Sequence, residues 1–312
     1  MATSETTLAG SDPGAIPKPS ETGTAAIGDI ELAYESFGDS DAPPMLLVMG
    51  LGMQLLGWDA RFCGLLAERG YRVIRFDNRD VGLSTKLKGK GNVLASMAGV
   101  GGKPAYLLAD MAADTVGLLD FLGIEKAHLV GASMGGMISQ LVAIDHPDRS
   151  LSLCSIMSTP GGRRPSELPK PRAMRALLSR PPREPEAFAE HMAAIFKVIG
   201  SPAYPADPAA LRDRTLVSLE RGYHPAGTAR QLIAVTNSPD RRKSLSGVRC
   251  PAAVIHGMAD PLVRPAAGRA TAAAIPGAKL HLIEGMGHDL PPALYDRLIR
   301  IITENADRAR DL

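Results

Sequence analysis

Residues 127–137 read Ala-His-Leu-Val-Gly-Ala-Ser-Met-Gly-Gly-Met. An apolar run passes through Gly-x-Ser-x-Gly directly into a pattern of helical period. The run predicts a strand, and Gly135 to Asp145 predicts a helix, so the turn between them must be tight. Small residues at 131 and 135 let two backbone segments cross closely, which leaves Ser133 at the tip of the turn with its hydroxyl exposed. The helix that begins there directs its positive end at any negative charge that develops beside the serine. A bare Gly-x-Ser-x-Gly is common by chance, and an inert serine in a glycine-rich turn is the alternative. The strand before it and the helix after it favour a nucleophile.

The same grammar continues outward. Met45 to Met49, Arg72 to Phe76, Leu151 to Met157, Ala252 to His256 and Lys279 to Ile283 are short, mostly apolar runs of the kind found in strands covered on both faces. Helix-period segments lie between them at Trp58 to Arg69, Ala105 to Leu122, Pro265 to Ala274 and Pro291 to Asn305. Strand and helix alternate, which predicts an α/β fold: a mostly parallel central sheet flanked by helices. Ala25 to Phe37 alternates apolar and polar residues across a Gly-Asp turn and reads as a hairpin or two edge strands. Residues 160–240 break the rhythm. They are rich in Pro and Arg, contain weak helical stretches at Glu186 to Ile199 and Leu211 to Glu220, and hold no convincing strand. An insertion of this length without secondary structure is out of keeping with a compact domain, so it reads as a helical cap. The expected organisation is a disordered tail over 1–24, a core over 25–159 and 241–312, and the cap over 160–240.

The 312 residues suffice for one large domain or two modest ones, with a core that needs no help from disulfides or metal. A net charge of +2 argues against nucleic acid or an anionic membrane surface as the main partner. No apolar stretch approaches the roughly 20 residues that a membrane span requires. The N-terminal residues lack the basic start and apolar run of a secretory signal. Three widely spaced cysteines form no C-x-x-C pair and read as small apolar residues in a reducing compartment. Together these features point to the cytoplasm, with a homo-oligomer left open.

A serine hydroxyl needs a neighbouring base to take its proton. In a strand–turn–helix context of this kind, an acid and then a histidine are sought on loops after later strands. Asp260 follows the strand at 252–257, and His288 lies in the glycine-punctuated loop after the last strand. Asp289 is a rival acid, but adjacent to His288 it would point along the loop rather than behind the ring. His128, His256 and His281 fall in or beside strands and read as packed residues, and His146 as a helix cap. His191 and His224, in the cap, read as exposed or pocket-lining. Stabilising an oxyanion takes two backbone N–H groups. Met134, after the serine, supplies one, and Leu51, between Gly50 and Gly52, the other; an idle glycine-rich turn is the alternative for the latter. Asp77 and Arg79, in the polar run after the strand at 72–76, read as structural. Met53, Met157 and Phe196 are candidates for an apolar pocket, and each is equally at home in a core.

The Gly-Leu-Gly loop, Trp58, the D-N-R-D-x-G-x-S segment, G-x-S-M-G-G, A-D-P and G-M-G-H-D-L-P together resemble the α/β-hydrolase superfamily. The chain is most similar to bacterial carboxylesterases related to aclacinomycin methylesterase and to proline iminopeptidase-like hydrolases. The likeness runs from about Gly28 to Ile302 and is weakest in the cap. It implies the α/β-hydrolase fold, with Ser133, Asp260 and His288 at the triad positions and Leu51 and Met134 at the oxyanion positions. Met49-Gly50 stands where many relatives have His-Gly, as it does in the methylesterase-like branch. The reading is a carboxylic ester hydrolase acting on a small-molecule ester through an acyl-enzyme, with no metal or organic cofactor. Amide, peptide, lactone or carbon–carbon bond hydrolysis by the same residues stays open, with Glu186, Glu190 and Glu220 available to hold a substrate amine. A natural-product tailoring role and a binding module on an inactive triad stay open as well.

Overall fold

Residues 16–310, apart from 90, 99 and 163, are described in a computed structural model. The strands are β1 (Glu21–Ile27), β2 (Ile30–Phe37), β3 (Pro44–Val48), β4 (Arg72–Phe76), β5 (Ala127–Ala132), β6 (Ser150–Ile156), β7 (Ala252–Gly257) and β8 (Lys279–Ile283). They form one eight-stranded sheet in the order β1-β2-β4-β3-β5-β6-β7-β8. The β1–β2 hairpin and the β2–β4 pair are antiparallel, and every other pairing is parallel.

The helices are α1 (Ala60–Glu68), α2 (Val93–Met97), α3 (Leu108–Phe121), α4 (Met134–Asp145), α5 (Pro171–Leu177), α6 (Pro185–Ile199), α7 (Pro208–Arg221), α8 (Pro225–Asn237), α9 (Arg242–Leu245), α10 (Pro265–Ala274) and α11 (Tyr295–Asp307). None of the described helices is long and apolar enough to cross a membrane.

The continuous apolar strands are explained by burial on both faces. In β3, Leu46 and Val48 join a cluster with Met111 and Leu118 of α3 and Ile138 and Val142 of α4. Met45 and Leu47 face the opposite cluster, with Phe62 and Leu66 of α1 and Leu298 and Ile302 of α11. Strand order reverses at the β3–β5 boundary, because the chain moves from β3 to β4 on one side and then to β5 on the other. The crevice outside the carboxyl ends of strands at such a point is where doubly wound sheets bind ligands.

Two expectations need correction. Strand β1 begins at Glu21, so residues 21–24 belong to the sheet and not to a disordered tail. Composition misled here, because Thr22 and Thr24 pair in register with Glu35 and Ala33 of β2, and the Glu21 carboxylate accepts from the Tyr34 hydroxyl at 2.6 Å. Residues 1–15 of that tail lie outside the described residues. Within 160–240, α6 and α7 match the weak helical stretches, whereas α5 and α8 went unread. All four of these helices open on proline at the first position, Pro171, Pro185, Pro208 and Pro225. There a missing N–H costs nothing and the fixed φ favours the first turn. These prolines are helix starts.

Candidate active site

Ser133 sits between β5 and α4 with φ 55° and ψ −117°, in a region that a non-glycine residue enters only when its surroundings force it. The surroundings are close backbone contacts. A Cβ at Gly131 would collide with the carbonyl of Gly135, one at Gly135 with the carbonyl of Val48, and one at Gly136 with the side chain of Ser158. The Ser133 N–H donates to the Ile156 carbonyl at 2.9 Å, and the Ser158 hydroxyl donates to the Ser133 carbonyl at 2.8 Å. The carboxyl end of β6 thereby clamps the turn that carries the serine at the carboxyl end of β5.

His288 and Asp260 reach the serine from two later loops. The Ser133 hydroxyl lies 2.9 Å from His288 Nε2, and His288 Nδ1 lies 2.7 Å from Asp260 Oδ2. With a carboxylate at Nδ1 the neutral ring carries its proton there, which leaves the Nε2 lone pair to accept from the serine. The other Asp260 oxygen accepts the backbone N–H groups of Leu262 and Val263 at 2.8 and 2.9 Å, so the carboxylate is fixed on both edges. Asp260 and His288 are both buried.

The loop after β3 borders the serine. A side chain begun at Gly50 would lie 3.2 Å from Ser133 Cβ and 3.7 Å from its Oγ. The Leu51 N–H has no hydrogen-bond partner among the described residues, and the Met134 N–H is the first of α4, where no intrahelical acceptor exists. The polar run after β4 supports this loop. Asn78 Nδ2 donates to the Met49 carbonyl at 3.0 Å, and the Asp77 carboxylate accepts from Leu55 N–H at 2.6 Å and Leu83 N–H at 2.9 Å. Arg79 points elsewhere and pairs with Asp114 at 2.6 Å.

The α/β-hydrolase fold family matches residues 43–291. The chain belongs to that family. It is 30% identical to the rhodomycin D methylesterase DnrP of Streptomyces peucetius over 296 residues, which is 88% of this chain and 94% of the relative. Among solved structures it resembles the enol-lactonase from Burkholderia xenovorans LB400, with a TM-score of 0.70 at 24% identity, covering 91% of this chain and all of that one. It also resembles the meta-cleavage product hydrolase from Pseudomonas fluorescens IP01, with a TM-score of 0.73 at 20% identity, covering 93% and 98% of the two chains.

The remaining candidates in this α/β hydrolase are distributed as follows. Asp289 turns from His288 toward Ser201, whose hydroxyl donates to its carboxylate, and burial raises its pKa above the ordinary carboxylate value. His128 is buried on Ser152, and His256 contacts the Val263 carbonyl at 2.7 Å. His191 contacts the Ser179 hydroxyl, and His224 accepts from Arg230. Met157 is buried in the core beside Ser158, with Met53 packed against the same cluster, and Phe196 lies half-buried on α6.

Several contacting residues carried no signal in the sequence. The Ser201 hydroxyl accepts from Gly287 N–H at 2.8 Å, and His288 N–H donates to the Ile199 carbonyl at 2.7 Å. The histidine loop thus rests on the end of α6. A Cβ at Gly287 would strike the Gly200 carbonyl, which is why glycine precedes the histidine.

Proposed function

We propose that the chain is a carboxylic ester hydrolase that works through an acyl-enzyme on Ser133. The observation that carries this reading is the hydrogen-bonded series Asp260–His288–Ser133, which ends beside a loop whose Leu51 amide has no partner among the described residues. Ser133 Oγ attacks the ester carbonyl while His288 Nε2 takes its proton. The amides of Leu51 and Met134 receive the oxyanion of the tetrahedral intermediate. As the intermediate collapses, the acyl–oxygen bond to the alcohol breaks and the imidazolium returns its proton to the departing oxygen. Water, deprotonated by the same imidazole, then attacks the acyl-serine and releases the acid. Asp260 keeps the proton on Nδ1 and stabilises the imidazolium.

The methylesterase relative supports an ester over other acyl substrates. An aminopeptidase reading needs free carboxylates for the substrate amine; Glu186 is held by Arg212 at 2.8 Å on the surface, while Glu190 and Glu220 lie exposed and leave that reading as the alternative. Helices α5–α8 serve in this reading as the cap that sets specificity, with Met53, Met157 and Phe196 lining an apolar pocket.

The test is hydrolysis of p-nitrophenyl acetate, butyrate and octanoate, with covalent labelling by a fluorophosphonate. The wild type turns over and takes up one label, while Ser133→Ala takes up none and loses on the order of 10⁴-fold or more in kcat. A Ser133→Ala variant with undiminished turnover would remove the serine from the mechanism. A wild type inert toward all three esters would turn attention to the other bonds that this fold family cleaves.

A further inference from the structure

The oxyanion loop is held in place by the helical insertion. The Gly52 N–H, one residue past Leu51, donates to Gln231 Oε1 at 2.8 Å, across 179 residues of chain. Gln231 lies on α8 and is fully buried. Its Nε2 donates to the Arg79 carbonyl at 2.8 Å. One carboxamide therefore bridges the loop after β3 to the loop after β4. Gly52 has φ +68°, and a Cβ there would lie 2.8 Å from the Thr228 methyl, so α8 also presses on this residue sterically. Arg230, the neighbour of Gln231, anchors α8 by donating to both oxygens of the buried Asp80 at 2.8 and 2.6 Å.

Resting on the reading of Leu51 as an oxyanion donor, we infer that Gln231 is a positioning residue for the reaction. It fixes the Gly52 peptide and thereby aims the Leu51 N–H at the carbonyl oxygen of the substrate. The chemistry favours this assignment over simple adhesion of the insertion. Asn78 holds the carbonyl of Met49 on one side of Leu51, and Gln231 holds the amide of Gly52 on the other. Between these two fixed points the Leu51 amide has no hydrogen-bond partner among the described residues. A burial contact alone requires neither a polar side chain nor this bracketing. Because the carboxamide is buried, its removal leaves the Gly52 N–H and the Arg79 carbonyl without partners. The loop then relaxes, and a displacement of about 1 Å at a catalytic group is enough to cost on the order of 10²-fold in rate.

The experiment compares wild type with Gln231→Met, which keeps length and loses both hydrogen bonds, and Gln231→Glu, which keeps the acceptor for Gly52. Asn237→Ala, which releases the far end of α8 from Ser96, serves as the structural control. With p-nitrophenyl butyrate, Gln231→Met is expected to lose about 10- to 100-fold in kcat with KM within about threefold. Its affinity for phenylboronic acid, which mimics the tetrahedral adduct on serine, falls by the same factor as kcat/KM, while inhibition by butyrate is unchanged. Gln231→Glu recovers at least part of the loss, and Asn237→Ala lowers Tm with kcat intact. Should Gln231→Met not fold, Gln231→Asn, one methylene short of Gly52, carries the same expectations. The proposal is overturned if kcat/KM stays within about threefold of wild type, if boronate affinity does not follow it, or if Asn237→Ala matches the loss. If Ser133→Ala abolishes turnover while Gln231→Met spares it, only the role of Gln231 falls; if Ser133→Ala keeps turnover, both readings fall.

Discussion

The serine turn and the loop after β3 lie side by side, yet they are held by different means. The turn at 131–136 is shaped by backbone packing among neighbours: glycines that admit carbonyls, and hydrogen bonds to Ile156 and Ser158 at the end of the adjacent strand. The loop at 49–55 is shaped by side chains from distant parts of the chain. Asp77 and Asn78 hold it from the β4 side and Gln231 from α8, while the Gln54 side chain reaches the carbonyls of Ser218 and Gly222 at the end of α7. A group that must present one exposed atom can be built locally. A group that must leave one amide free while fixing its neighbours takes partners from elsewhere.

The largest expected effect lies on the serine side of this comparison. Asp260→Asn keeps an acceptor for Leu262 and Val263 but offers an N–H toward His288 Nδ1. The ring must then place its own proton on Nε2, where it can no longer accept from Ser133. We expect kcat to fall on the order of 10⁴-fold with Tm within about 2 °C of wild type. A loss below about tenfold would mean that Asp260 does not set the tautomer, and a large fall in Tm would mean that the loop itself had collapsed.

The same contrast explains what could be read in advance. Ser133, Asp260 and His288 were legible because each lies just after an apolar strand, in a loop marked by glycine or proline, and parallel strands bring such loops to one edge of the sheet. Leu51 is marked as a candidate by its flanking glycines. Gln231 and Ser201 were not, since a polar residue on a surface-type helix looks the same whether or not a loop reaches it from the other end of the chain. Helices α5 and α8 are hard to read because α5 runs only seven residues and α8 opens with Gly227 and Thr228, poor helix formers, in its first turn, and strand β1 is cut short because a Thr- and Gly-rich segment resembles a tail until its partner strand is known. Asp77 announced itself by its crowded polar neighbours, whereas the partner of Arg79, Asp114, lies on α3 and could not be named.

A second variant probes the distant side. Asp80 and Arg230 are buried, and the Tyr106 hydroxyl also donates to Asp80 at 2.7 Å. Burial raises the pKa of this carboxyl, but the bonds from Arg230 and Tyr106 outweigh it and leave the group below its ordinary value. Arg230→Met strips the carboxylate of its counter-charge and should cost about 3–5 kcal/mol, read from urea unfolding. It should also lower kcat, because α8 carries Gln231. A loss of stability below about 1 kcal/mol would show that the insertion is attached by other contacts, and full stability loss with unchanged kcat would separate the anchoring of α8 from the aim of the loop.

The smallest effect expected is a pH dependence rooted in the strand that carries the serine. His128 on β5 is buried against Ser152 and the edge of Tyr71, and burial pushes its pKa down from 6.5 to about 4. Between those values the unfolded chain binds the proton and the folded chain does not, so stability rises with pH across the window. The contribution is complete above about pH 6.5 and is lost as the pH falls toward 4, with a size of about 3 kcal/mol. His256, whose pKa burial also lowers, acts in the same direction, so one replacement removes only part of the slope. Unfolding in urea at pH 7, 5.5 and 4.5 should show a shallower dependence for His128→Gln than for the wild type. Because His128 lies five residues from Ser133 but toward the opposite end of the strand, its replacement should leave kcat at pH 7 unchanged. An equal slope in both proteins would mean that the ring is hydrated in the folded state; a changed kcat would mean that the serine turn depends on the strand below it as well as on its own glycines.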